Sequence, residues 1–258
     1  MRPNRNRTSE HARLVPGTRL TVQARRSRPG GPVAGGTGQG RNRPAGPAVL
    51  PVAWAGVRDA GDGELADHPD RLRWNARYAE AYDAPFVPHP LAVRALSVPP
   101  PDGPVADLAC GPSGAALLAA GAGREVTAVD ISDVALRLLA GEASRRGLRD
   151  QITLVRADLR EWRPEGARYA LVLCTGYWDR AVFAAAVTAV APGGLLGWEA
   201  FTAGALRARP GLCPQWCLGE GEPGSLLGAG FEILDVRDLP DSGRGAKRAM
   251  LARLARPR

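Results

Sequence analysis

Val105-Ala106-Asp107-Leu108-Ala109-Cys110-Gly111-Pro112-Ser113-Gly114 decides the fold. An apolar run closes on an acid, passes through small residues and a glycine, and opens into a helical pattern at Ser113. That is a strand feeding a tight turn at a helix N-terminus. A second apolar run, Glu125-Val126-Thr127-Ala128-Val129, ends on Asp130, nineteen residues after Gly111. Two acids at two neighbouring strand ends, with a small-residue turn between them, outline a pocket for a nucleoside.

Outward from this point the pattern alternates strand and helix. Strands are expected at about 103–110, 124–130, 152–156, 169–174, 195–200, 231–236 and 249–254. Helices are expected after Ser113, Ser132 and Asp179 as N-caps, the second with an apolar stripe at Val134, Leu138, Leu139 and Ala143. A further short helix is expected around Pro223–Leu227. The strands through the fifth are near-continuous apolar runs, the mark of a parallel sheet covered on both faces. The last two are joined by too few residues for a crossover helix and should pair antiparallel. The expected fold is α/β: a Rossmann-like three-layer sandwich with a mostly parallel seven-stranded sheet and an antiparallel last strand.

Composition divides the chain in two. The formal charge of +8 suggests nucleic acid at first sight, but it is uneven. Residues 1–57 hold ten Arg and one acid, while the remaining 201 hold 24 basic and 25 acidic residues. Residues 1–67, rich in Arg, Gly and Pro, are expected to be a disordered leader: a dispensable tail or a start placed too early, with an anion-binding arm or a targeting leader as alternatives. Residues 68–258 form the domain. Nucleic acid is expected as a partner only through the basic leader. The apolar patch Ala48–Trp54 could add a strand. The domain's N-terminal helices carry Leu72, Trp74, Tyr78 and Tyr82, then Leu91, Val93 and Leu96. One Lys stands beside 33 Arg, which points to a GC-rich bacterial genome. No apolar run reaches membrane-spanning length, and four scattered cysteines suit a reduced cytoplasmic compartment. Cys213 and Cys217, without a nearby His, do not make a zinc site, and no metal is expected.

Open parallel sheets bind ligands at the carboxyl ends of their strands. Those ends carry Asp107 to Gly111, Asp130-Ile131, Asp158-Leu159 and Cys174-Thr175. Gly111 lets backbone approach a ligand. Asp130 can accept both hydroxyls of a ribose, and Asp158 an exocyclic amine. Ile131 and Leu159 can sandwich a purine. Asp107 would attract a cationic ligand portion. Tyr177 and Trp178, just past the fourth strand, are candidates for acceptor binding.

This pattern resembles the class I S-adenosylmethionine-dependent methyltransferases over roughly residues 70–256. Asp107–Gly114 is similar to that family's first motif, Asp130-Ile131-Ser132 to its second strand-end acid, and Ala157-Asp158-Leu159 to its adenine-contacting acid. Trp74-Asn75-Ala76-Arg77-Tyr78 followed by His89-Pro90-Leu91 resembles the tellurite-resistance and thiopurine branch. The resemblance implies that Trp74, Arg77 and Tyr78 cover the methionine end of the cofactor, with Arg77 pairing its carboxylate. It implies S-adenosylmethionine as cofactor and a small-molecule acceptor. Ala109 and Ser113 stand where the family has its first and third turn glycines. Cys174-Thr175-Gly176-Tyr177-Trp178 lacks the Asn-Pro-Pro-aromatic signature of base methylation. No side chain stands out as a catalytic base. A nicotinamide-dependent oxidoreductase is the alternative enzyme, disfavoured by the absence of G-x-G-x-x-G. A methyltransferase-like binding module with a degraded turn is the non-enzymatic alternative.

Overall fold

The computed structural model describes residues 57–59, 65–80, 86–164, 166–241, 243 and 245–256. Residues 1–56, with the patch Ala48–Trp54, lie outside the described residues, as does Tyr82. Eight strands form one sheet: β1 (Val57–Asp59), β2 (Val105–Leu108), β3 (Val126–Asp130), β4 (Ile152–Arg156), β5 (Tyr169–Thr175), β6 (Val190–Phe201), β7 (Phe231–Leu239) and β8 (Lys247–Leu254). Their spatial order is β1-β4-β3-β2-β5-β6-β8-β7. Pairing is parallel from β1 to β6, and β8 runs antiparallel to both β6 and β7.

The expected architecture is present, with one strand more than the seven anticipated. The extra strand, β1, lies inside the stretch expected as a leader, so the sheet takes in residues before 68. It pairs Val57–Asp59 with Leu154–Arg156, and Arg156 adds an ion pair to Asp59 at 2.8 Å. Three residues have no periodicity to detect; pairing with β4 makes this strand.

Among the described residues five α-helices accompany the sheet: α1 (Pro69–Ala79), α2 (Pro90–Ser97), α3 (Gly114–Gly121), α4 (Asp133–Arg145) and α5 (Arg180–Ala189). One sheet face buries Val105, Val126, Ile152, Leu171, Leu173 and Leu195 against α2, α3 and α4. The other buries Leu108, Val129, Val172, Leu196 and Trp198 against α5. Residues two apart along a strand face the same side, so an unbroken apolar run feeds both layers. Ser113, Ser132 and Asp179 cap α3, α4 and α5 as their positions predict, each side chain accepting a backbone N–H of the first turn. The stripe of α4 is shifted: Ala135, Leu136, Leu139, Ala140 and Ala143 are buried, while Val134 and Leu138 are half-buried. The short helix near Pro223 is a 3-10 turn, Gly224–Leu226. No helix among the described residues is long and apolar enough to cross a membrane.

Candidate active site

The four central strand ends meet where expected. The chain leaves β2 through Ala109 at φ +49° and Gly111 at φ +58°. Left-handed backbone costs an L-residue roughly 1–2 kcal/mol, so Ala109 keeps the turn at a strain that glycine would not carry. Asp130 closes the turn from the next strand. Its Oδ2 accepts the Gly111 N–H and its Oδ1 the Ser132 N–H, both at 2.8 Å. Asp107 accepts the Ser113 hydroxyl, and the same hydroxyl accepts the Ala116 N–H to cap α3. Strand end, turn and helix start are therefore one hydrogen-bonded unit.

Both acids are buried, at 3% and 6% exposure, and no ion pair among the described residues reaches either one. The hydrogen bonds they accept come from neutral donors. Burial lifts the Asp107 carboxyl to about 6, and the nearby Asp130 charge adds to this, while the Ser113 bond and the charge of His89 oppose it. Burial likewise lifts Asp130 to about 6 against the pull of its backbone donors. Two buried carboxyls without an ion-pair partner among the described residues thus stand at adjacent strand ends. Cys110 and Cys174 feel the same field, and burial followed by these carboxylates pushes both thiols well above their ordinary range. With the N–H groups of Gly111, Ser132 and Ile131 drawn to it, the Asp130 carboxylate still retains lone-pair capacity for a ligand hydroxyl.

Helix α1 lies over the turn. A Cβ on Gly111 would stand 2.8 Å from the Tyr78 hydroxyl. Burial, then the Asp130 charge, raises the Tyr78 phenol, so it stays protonated as a donor. Trp74 stacks on Tyr78 with centroids 5.7 Å apart. Asn75 fixes the helix: its Nδ2 donates to Asp133 Oδ1 at 2.7 Å, and its Oδ1 accepts the Ser132 hydroxyl at 2.7 Å and the Val134 N–H. Arg71 adds a 2.8 Å ion pair to Asp133. Arg77 is exposed, its guanidinium 5.6 Å from the Trp74 ring centre.

Asp158 stands at the end of β4 but is occupied. Arg160 reaches it through Nε and Nη2, with Nη2 at 2.9 Å, and His68 Nε2 lies 3.5 Å away. Ile131 is half-buried and Leu159 buried at the ends of β3 and β4. Cys174 is buried, its thiol directed to the Tyr177 carbonyl. Tyr177 is half-buried and close enough to Asp158 and Arg160 to feel both charges. Trp178 is placed differently from Tyr177. It is 3% exposed and packs on Phe183 and Trp198 in the core. Its indole N–H finds no hydrogen-bond partner among the described residues.

Two groups carry roles that sequence reasoning did not assign. His68 and His89 each precede a proline and cap α1 and α2, Nδ1 accepting an N–H from the first turn at 3.2 Å. Glu199 sits on β6 beside Thr175 of β5, bound to His89 and Lys247. Its signal was available: Glu199 interrupts the apolar run Leu195–Phe201 near its end, as Asp107 and Asp130 do theirs.

Residues 105–194, from β2 into β6, match the methyltransferase domain family. The match covers about a third of the chain, and the sheet that holds it is Rossmann-like. Among solved structures, phosphoethanolamine N-methyltransferase 2 of Haemonchus contortus, in complex with S-adenosyl-L-methionine, has 17% identity and a TM-score of 0.56, over 76% of this chain and 61% of that one. The 1,6-didemethyltoxoflavin-N1-methyltransferase of Burkholderia thailandensis, with its substrate and S-adenosylhomocysteine, has 20% identity and a TM-score of 0.53, over 72% and 87%. TehB of Haemophilus influenzae has 16% identity and a TM-score of 0.53, over 70% and 67%. At these identities the likeness is one of fold. No curated protein matches the chain in sequence.

Proposed function

We propose that the protein transfers the methyl group of S-adenosylmethionine to a small-molecule acceptor by in-line displacement. One observation carries this reading: Asp107 and Asp130 are buried at adjacent strand ends without a cationic partner among the described residues. Buried charge without compensation is costly, and a ligand with a cationic end and a vicinal diol relieves it. The residues fit such a group. Asp107 would face the ammonium and sulfonium end, and Asp130 would offer lone pairs to the ribose hydroxyls. Ile131 and Leu159 flank the base, and Tyr78 closes the turn from above. A pyrophosphate would meet two carboxylates here, which disfavours the nicotinamide alternative.

Bound there, the cofactor supplies a methyl group already activated on sulfur. The remaining work is placement. The turn at Ala109–Gly111 would hold one reactant, α1 would cover it, and the end of β5 with Tyr177 would receive the other. Positioning of two reactants can contribute up to about 7–11 kcal/mol. Trp74, Arg77 and Tyr78 cover the methionine end on this reading, although Arg77 must swing in from solvent to pair its carboxylate. Cys174 would sit behind the cofactor at the end of β5, its thiol directed to the Tyr177 carbonyl. The toxoflavin and phosphoethanolamine enzymes, both named for small-molecule substrates, support a small acceptor.

Titration calorimetry of the full chain with S-adenosylmethionine, S-adenosylhomocysteine and NADH tests the assignment. Binding of the first two and not the third is expected. Asp130→Ala should weaken both by about tenfold to a hundredfold, the worth of one to two hydrogen bonds to a charged group. A folded protein that ignores the sulfonium pair refutes the function.

A further inference from the structure

Lys247 is the single lysine in a chain with 33 arginines. It opens β8 opposite Phe201 of β6. Because β8 is antiparallel, this is the same end of the sheet as Asp107 and Asp130. Its Nζ lies 2.6 Å from Oε1 of Glu199, whose other oxygen lies 3.2 Å from Nε2 of His89. Glu199 is 2% exposed; burial pushes its carboxyl up, and the two partners hold it below the usual range.

The donors can be counted. His89 Nδ1 accepts the Leu91 N–H, so in the neutral ring Nε2 carries the proton given to Glu199. Both carboxylate oxygens are engaged, and neither His89 nitrogen is left as a base. Lys247 differs. An ammonium has three divergent N–H donors, and Glu199 uses one. Its side chain is 27% exposed, and its Nζ lies 5.4 Å from the centre of the Phe201 ring. Arg209 lies 4.8 Å over the same ring. An arginine would spend its planar fork on Glu199; a lysine keeps donors turned outward. The cluster also adjoins the strand ends of the candidate site, since His89 stands near enough to Asp107 to influence its carboxyl.

We propose that Lys247, braced by Glu199 and His89, anchors an anionic acceptor, its carboxylate or other oxyanion paired with the ammonium beside an aromatic face. The proposal rests on the methyltransferase reading and assigns the acceptor class. Ligand-observed NMR on the full chain, saturated with S-adenosylhomocysteine, tests it with benzoate and benzamide as matched probes. Benzoate should bind about tenfold tighter or more, the scale of a charge-assisted hydrogen bond. Lys247→Gln, which still offers Glu199 an N–H, should abolish that preference and leave S-adenosylhomocysteine affinity unchanged. No preference for benzoate in the wild type, or one that survives in Lys247→Gln, overturns the proposal. Failure of S-adenosylhomocysteine itself to bind overturns the parent reading and the acceptor class with it.

Discussion

Asp107→Asn should stabilise the ligand-free protein while disabling it. The side chain is buried, accepts one hydroxyl, and carries a carboxyl lifted from an ordinary 3.8 to about 6. A folded acid that holds its proton more tightly than the unfolded one loses stability as pH rises through its folded value. At pH 8 the lift corresponds to about 3 kcal/mol, and at pH 5, where the folded acid is mostly protonated, to about half of that. Asparagine keeps an oxygen for Ser113 and removes the charge. Urea denaturation of wild type and Asp107→Asn should therefore show the variant more stable by about 1–3 kcal/mol at pH 8, with the advantage shrinking toward pH 5. Added S-adenosylmethionine should stabilise the wild type only. A variant no more stable than wild type at pH 8, or an advantage independent of pH, refutes the reading of an uncompensated acid.

Other perturbations test the remaining parts. Gly111→Ala forces a side chain into left-handed backbone and against the Tyr78 hydroxyl, and should cost about 1–3 kcal/mol by urea denaturation. Adding Tyr78→Phe should recover part of that loss, and strict additivity would remove the contact from the explanation. Arg160→Ala should free Asp158 for the adenine amine and tighten S-adenosylhomocysteine binding several-fold by calorimetry; unchanged affinity would leave Asp158 without a base-binding role. Asn75→Ala breaks the bonds of α1 to α4 and should lower stability by about 1–3 kcal/mol, with faster proteolysis within α1.

The centre of this protein was legible because its signals are local. A strand-end acid, a turn and a cap lie within ten residues at Asp107–Ala116, and the same grammar recurs at Asp130–Ala135. What escaped the sequence depends on contacts made at a distance. β1 exists through its pairing with β4. Trp178 and Tyr177 are chain neighbours with opposite surroundings, and only packing against Phe183 and Trp198 settles that the first is core. Asp158 looked available, yet Arg160, two residues on, closes over it, a pairing that charge spacing alone could have suggested. Lys247 and Glu199 are 48 residues apart and meet because β8 returns beside β6.

The two His-Pro steps carry a mechanical consequence. Each imidazole starts a helix with one nitrogen and faces a carboxylate at the sheet rim with the other: His68 toward Asp158, His89 toward Glu199. Because the ring that meets the carboxylate also caps the first turn, a single substitution at either histidine should loosen both the helix start and its contact with the rim.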